Sequence, residues 1–218
     1  MELADMTLDD TAPTRREQII QGAYDTLRKN GLPHLSYDSI AAETGLTRQL
    51  IRYHFSSHED LMLEVCDLVA AVYREALIST AGQLKGPARV DAFLDFYFDL
   101  LDAKRKPRDD QVYDAMLSLA TKSRPIRENL ANQYRLVGQV LSHEFSVQFP
   151  DLTAQAAEEL SFLFVSLMYG HWKMVASLGF SEDHRHITRQ AIDRLIRSYC
   201  DMPPEPGTKR VLWAQKGL

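Results

Sequence analysis

The chain has 218 residues, 45% of them apolar, a formal net charge of −5, and only 10 Gly and 9 Pro. That is ample apolar surface for one large or two modest packed domains, and too acidic a balance for wholesale coating of nucleic acid. The frequent Leu, Ala, Glu, Arg and Gln against few helix breakers predict an all-α chain.

Residues 1–13 are acidic, lack helical periodicity and end at Pro13, and read as a disordered arm. The first residues hold no basic stretch followed by an apolar run, so no secretory signal is read and a cytoplasmic protein is expected. Ile19, Ile20, Ala23 and Leu27 mark one face of a first helix, Thr14 to Asn30, with Gly31 as its stop. Ser36 caps a short second helix with Ile40 and Ala41 inward, Gly45 follows where the chain must turn, and Thr47 caps a third, Arg48 to Phe55. Ser57-His58-Glu59-Asp60 has the form of a capping box and opens a long fourth helix, His58 to Thr80.

Gly82, Gly86 and Pro87 interrupt the pattern, which resumes as a fifth helix from Ala88 to Lys104. A charged break, Lys104 to Asp110, precedes a helix with Val112, Met116 and Leu119. Arg124-Pro125 then opens another that Pro150 stops. Thr153 to Leu178 is apolar on more than one face and must be buried on two sides. Ser161, Ser166, His171 and Lys173 inside it, without flanking basic anchors, argue against a membrane span. Ile187, Ala191, Ile192, Leu195, Ile196 and Tyr199 stripe a last helix, Glu182 to Cys200. Residues 203–218 form a loosely held tail in which Val211-Leu212-Trp213 has the bulk to dock. Cys66 and Cys200 lie in helical patterns outside any CxxC or Cys/His cluster and read as buried, reduced thiols.

Two short helices around a glycine, the second capped and polar at its start, make the pattern that enters a DNA major groove. Ile40, Ala41, Leu46 and Ile51 would hold the pair against the first helix while Thr47, Arg48, Gln49 and Arg52 project outward. From Thr14 to Asp60 six basic residues face six acidic ones, so affinity depends on where the charges point.

The string Leu35-Ser-Tyr-Asp-Ser-Ile-Ala-Ala-Glu-Thr-Gly-Leu-Thr-Arg-Gln-Leu-Ile-Arg-Tyr-His-Phe-Ser-Ser-His-Glu-Asp-Leu61 closely resembles the N-terminal domain of TetR-family regulators. Ile40-Ala41, Thr44-Gly45, Tyr53-His54-Phe55 and Glu59-Asp60-Leu61 carry the likeness. It extends more weakly to about nine helices in all and to Leu167-Met-Tyr-Gly-His-Trp172. The resemblance implies a helix-turn-helix DNA-binding domain over 14–60 and a ligand-binding and dimerisation domain over 61–202. It also implies a ligand-responsive regulator, most often a repressor, acting on double-stranded operator DNA as a homodimer.

By the same resemblance, Thr47, Tyr53, His54 and His58, with Ser36 and Tyr37 of the second helix, would contact the DNA backbone, and Arg48, Gln49 and Arg52 base edges. Only base contacts carry sequence choice, Arg favouring guanine and Gln adenine. The family usually has Tyr where this chain has Arg52 and Lys where it has His58; Tyr53 and a protonatable His58 are the substitutes in view.

In the remaining chain Phe93, Phe96, Tyr97, Tyr113, Met116, Tyr134, Met168, His171 and Trp172 are candidates to line an apolar cavity for a small-molecule effector, though each also suits core packing. A hydrophobic or aromatic effector fits that set, while Arg127, Arg135 or His171 would receive an anion. Phe164, Leu167, Val175, Ile192, Leu195, Ile196 and Tyr199 of the last two helices are candidates for a four-helix dimer interface. There is no Glu-x-x-His pair, no glycine-rich phosphate loop and no nucleophile elbow, and His184 and His186 fall on different helix faces. Neither catalysis nor a metal or cofactor is expected. The competing reading is a helical scaffold whose N-terminal hairpin binds protein rather than DNA.

Overall fold

The computed structural model describes residues 13–82, 84–98, 100, 109–205 and 212–213. Among them are nine α-helices: α1 Arg15–Asn30, α2 Tyr37–Thr44, α3 Arg48–His54, α4 His58–Ala81, α5 Pro87–Tyr97, α6 Asp110–Ala120, α7 Arg124–Gln148, α8 Ala154–Trp172 and α9 His184–Asp201. No strand occurs among the described residues.

The helix starts follow from side chains that meet the orphan backbone donors of a first turn. The Thr14 hydroxyl accepts from Glu17 N at 3.2 Å and the Glu17 carboxylate accepts from Thr14 N at 2.7 Å, a complete capping box. Ser36 and Ser39 close the same loop on α2, and Thr47, Ser57, Ser123 and Thr153 cap α3, α4, α7 and α8. At Ser57 only the forward half of the predicted box forms: its hydroxyl accepts from Asp60 N, and Asp60 does not return the bond. Gly45 ends α2 at φ 69° and ψ 11°, the left-handed geometry that turns the chain toward α3.

Two cores organise the helices. The first gathers Ile19, Ala23 and Leu27 of α1, Ile40 of α2 and Ile51 of α3 against Leu61, Met62 and Val65 of α4 and Val112 and Met116 of α6. The division drawn after residue 60 therefore cuts through a continuous core: α1–α3 have no separate interior, and α4 and α6 complete it. The second core joins Phe93, Leu94 and Phe96 of α5 to Leu141 and Phe145 of α7, Leu160 and Phe164 of α8, and Ile192 and Ile196 of α9.

Three expectations change. The fifth helix stops at Tyr97 rather than Lys104, and the charged break at 104–108 lies outside the described residues, as do 1–12 of the arm. The apolar run from Thr153 is α-helical only to Trp172, then widens into one π turn, Lys173–Ser177, before Gly179 at φ 71°. Cys66 is buried, and burial pushes its thiol pKa up to about 12, whereas Cys200 is exposed because it sits on the outer face of α9. The tail does dock at its tryptophan: Trp213 Nε1 donates to Ser161 Oγ at 3.2 Å and the ring lies over Gly138, where any Cβ would collide with it. No helix among the described residues is long and apolar enough to cross a membrane.

Candidate nucleic-acid interface and interior cavity

α3 is short and anchored by Ile51, which is fully buried. Fixing that residue inward leaves Arg48, Gln49, Arg52 and Tyr53 outward, since positions four apart share a helix face. All four are exposed, Tyr53 at 83%, which is far outside the usual range for an aromatic that has no partner surface. Four of the six acids of this region are held elsewhere: Glu17 in its cap, Asp25 on Arg28, Glu43 on Lys29 at 2.5 Å and Glu59 on the Ser123 hydroxyl. α3 contains no acidic residue, so a balanced segment presents a cationic outer face. Two acids lie beside it: Asp38 of α2, 3.1 Å from Arg48, and Asp60 of α4, whose charge acts on Tyr37 together with that of Arg52. The Arg48–Asp38 pair is exposed and weak, so the guanidinium exchanges partners at little cost.

The predicted backbone contacts divide. Thr47 is exposed at the start of α3, Ser36 is half-buried with its hydroxyl engaged with Ser39, and His54 is half-buried edge-on to Tyr53. Tyr37 is 8% exposed, its hydroxyl donates to the Phe55 carbonyl at 3.0 Å and its ring stacks on His58 at 4.1 Å. It is a strut joining the starts of α2 and α4 to the end of α3. Desolvation holds the His58 imidazole pKa below the ordinary value, which favours its neutral form.

A cavity of about 870 Å³ lies between α4, α5, α7 and α8. Phe93, Tyr97, Tyr113, Tyr134, Met168 and Trp172 line it. Phe96, Met116 and His171 do not: Phe96 faces the second core, Met116 the first, and His171 turns toward Thr188 of α9 and the edge of Phe98. Helical spacing alone does not make this split, because Phe96 and His171 lie three residues from Phe93 and Met168 on the same broad face; the packing of the neighbouring helices makes it. The Trp172 indole donates to the Tyr97 carbonyl at 3.0 Å and fixes the end of α8 against α5. Near the mouth, Gln133 donates to the Cys66 carbonyl at 3.1 Å and Asn129 to Asp67 at 2.9 Å.

Sequence reasoning missed the residue between the cavity and α1. Asp109 is 2% exposed; its carboxylate accepts from the hydroxyl of Tyr24 on α1 and from that of Tyr73 on α4, a cavity residue. An isolated acid in a charged stretch carries no mark that distinguishes it from a solvated one. Of the candidate interface residues, Phe164, Ile192 and Ile196 pack inside the chain's own second core. Leu167, Val175, Leu195 and Tyr199 are half-buried, and the exposed apolar residues nearby are Phe162, Tyr169, Met174, Leu178, Phe180 and Ile187. Among the described residues no group of three or more His, Cys, Asp or Glu is arranged to hold a metal.

Solved structures share this architecture. A TetR transcription regulator from Haloarcula marismortui matches with a TM-score of 0.70 at 18% identity, covering 84% of this chain and 96% of its own. A protein from Saccharomonospora viridis solved in complex with choline matches at 0.69 and 20% identity, covering 84% and 95%. The multidrug binding protein EbrR, complexed with imidazole, matches at 0.63 and 19% identity, covering 91% and 100%. No family model and no curated protein matches the chain. At these identities the likeness is one of fold: the chain has the fold of the TetR-family transcription regulators, a helix-turn-helix set on a helical body.

Proposed function

We propose that this protein is a ligand-responsive, DNA-binding transcriptional regulator, a repressor that leaves its operator when a small molecule enters the cavity. The observation that carries the reading is the outward stripe Arg48, Gln49, Arg52 and Tyr53 on an α3 that Ile51 anchors and Thr47 caps. Arg48, Gln49 and Arg52 meet base edges, and Ser36, Thr47, Tyr53, His54 and His58 meet the backbone from the rim. A homodimer through α8 and α9 sets two such helices one DNA turn apart, roughly 34–36 Å, on a palindromic operator. Its place of work is then the cytoplasm. The choline and imidazole bound by two proteins of the same fold support reading the cavity as an effector site. The Tyr73–Asp109–Tyr24 chain supports coupling, because a ligand that displaces Tyr73 disturbs an acid bonded to α1. By linkage, operator DNA weakens effector binding by the same factor as effector weakens DNA binding.

Selection of bound duplexes from a random pool with the purified protein tests this reading: a twofold-symmetric motif is expected, and no enriched sequence overturns it. The double variant Arg48→Ala, Gln49→Ala is expected to lose selective binding by 100-fold or more, on the order of two bidentate base contacts. Its thermal midpoint should stay unchanged, as both residues are exposed.

A further inference from the structure

Two polar atoms of residues that line the cavity have no hydrogen-bond partner among the described residues. Tyr134 Oη and Arg89 Nε are buried and without hydrogen-bond partners, and both residues line the cavity. A buried donor left unmet opposes folding, and two on one wall mark a place completed by something else.

Their surroundings limit what that is. Burial pushes the Tyr134 pKa up to about 12, so its hydroxyl keeps its proton and seeks an acceptor, as an arginine N–H always does. The Arg89 guanidinium already holds Glu144 at 2.8 Å, and Glu144 is itself 7% exposed. The charge is balanced within the protein, and a ligand carboxylate there would meet a like charge. A quaternary ammonium fares no better. The Tyr73, Tyr113 and Trp172 ring centroids lie 5.8, 6.2 and 6.0 Å apart pairwise, packed on one another, so a cation would meet them from one side only and not inside a cage of faces. The two donors are also separated. Tyr134 and Glu144, which holds Arg89, are about ten residues apart on α7, roughly 15 Å of helix.

We propose that the cavity takes an elongated, neutral, apolar molecule with oxygen acceptors of the ketone, ester or amide type toward both ends, one received by Tyr134 Oη and the other by Arg89 Nε. Its body packs on Phe93, Met168 and Trp172. The inference rests on reading the cavity as an effector site.

Probes that share one ten-carbon body and differ at their ends test it by calorimetry on the full chain: dimethyl sebacate, neutral with an ester at each end; sebacate, a dianion; and decamethonium, a dication. The diester is expected to bind at least tenfold more tightly than either charged probe. Tyr134→Phe, and Arg89→Lys, which keeps a cation for Glu144, are each expected to weaken the diester about tenfold. Equal binding of a charged probe, or a diester affinity that neither variant changes, overturns the proposal while leaving an effector cavity in place. No saturable binding by any probe overturns this inference and the effector reading together, and leaves the DNA selection experiment to decide the regulator reading by itself.

Discussion

The two cores treat their polar groups differently. Around the first, the helix starts are met by Thr14, Ser36, Thr47 and Ser57, and the acids by Arg28, Lys29 and Ser123, all from the same chain. Beside the second, Tyr134 and Arg89 keep donors that nothing among the described residues meets. A unit whose polar groups are closed internally holds one shape and carries its chemistry on the outside. A region with open donors facing a cavity is finished by another molecule, and its shape depends on whether that molecule is present.

The largest expected effect tests the closed side. Ile51→Ala removes a fully buried side chain from the junction of α3 with α1 and α4. It should cost about 3 kcal/mol by urea unfolding. Because α1–α3 share their core with α4 and α6, the loss should appear in one cooperative transition rather than as melting of a small separate domain. A separate early transition would restore the boundary at residue 60 and break the contrast drawn above.

Much of the closed side is legible in the sequence because its signals are local. Caps precede apolar stripes, Gly45 stands at the one left-handed turn between α2 and α3, and Ile51 predicts which α3 residues face out. Tyr37 was not legible, since its role depends on Phe55 and His58 arriving from two other elements. In the second core the aromatic set is visible but not its rotation. Phe96 and Phe164 satisfy the same periodicity as Phe93 and Met168, and only the packing of α5, α7, α8 and α9 decides which look into a cavity, a core or solvent. Phe164, Ile192 and Ile196 show the same ambiguity: their apolar stripe is buried within the chain itself, and periodicity alone does not separate that from burial against a second copy.

Asp109 joins the two regions and gives a smaller effect with a defined sign. Burial raises its pKa despite the bonds from Tyr24 and Tyr73, so folding favours the protonated acid. That contribution is complete below the ordinary aspartate value of about 3.9. It fades as pH rises through the higher folded value. Asp109→Asn keeps an acceptor and removes the charge, so it should stabilise the protein at pH 7 by about 1–2 kcal/mol and flatten this part of the pH profile. If the variant is less stable at pH 7, the carboxylate is needed as a charge, and the link from Tyr73 to α1 is an electrostatic one rather than a shared hydrogen bond.

The smallest effect sharpens the open side. Tyr134→Phe deletes an oxygen that has no partner in the free protein, so the usual loss on removing a buried hydroxyl should reverse: the unliganded variant should gain about 1 kcal/mol in urea unfolding. The gain should vanish when wild type and variant are compared with dimethyl sebacate bound, because there the wild-type hydroxyl is satisfied. A hydroxyl that served only packing would lower stability in both conditions. The sign of the change without ligand, and its disappearance with it, therefore separate a donor kept for an incoming molecule from one that merely fills space.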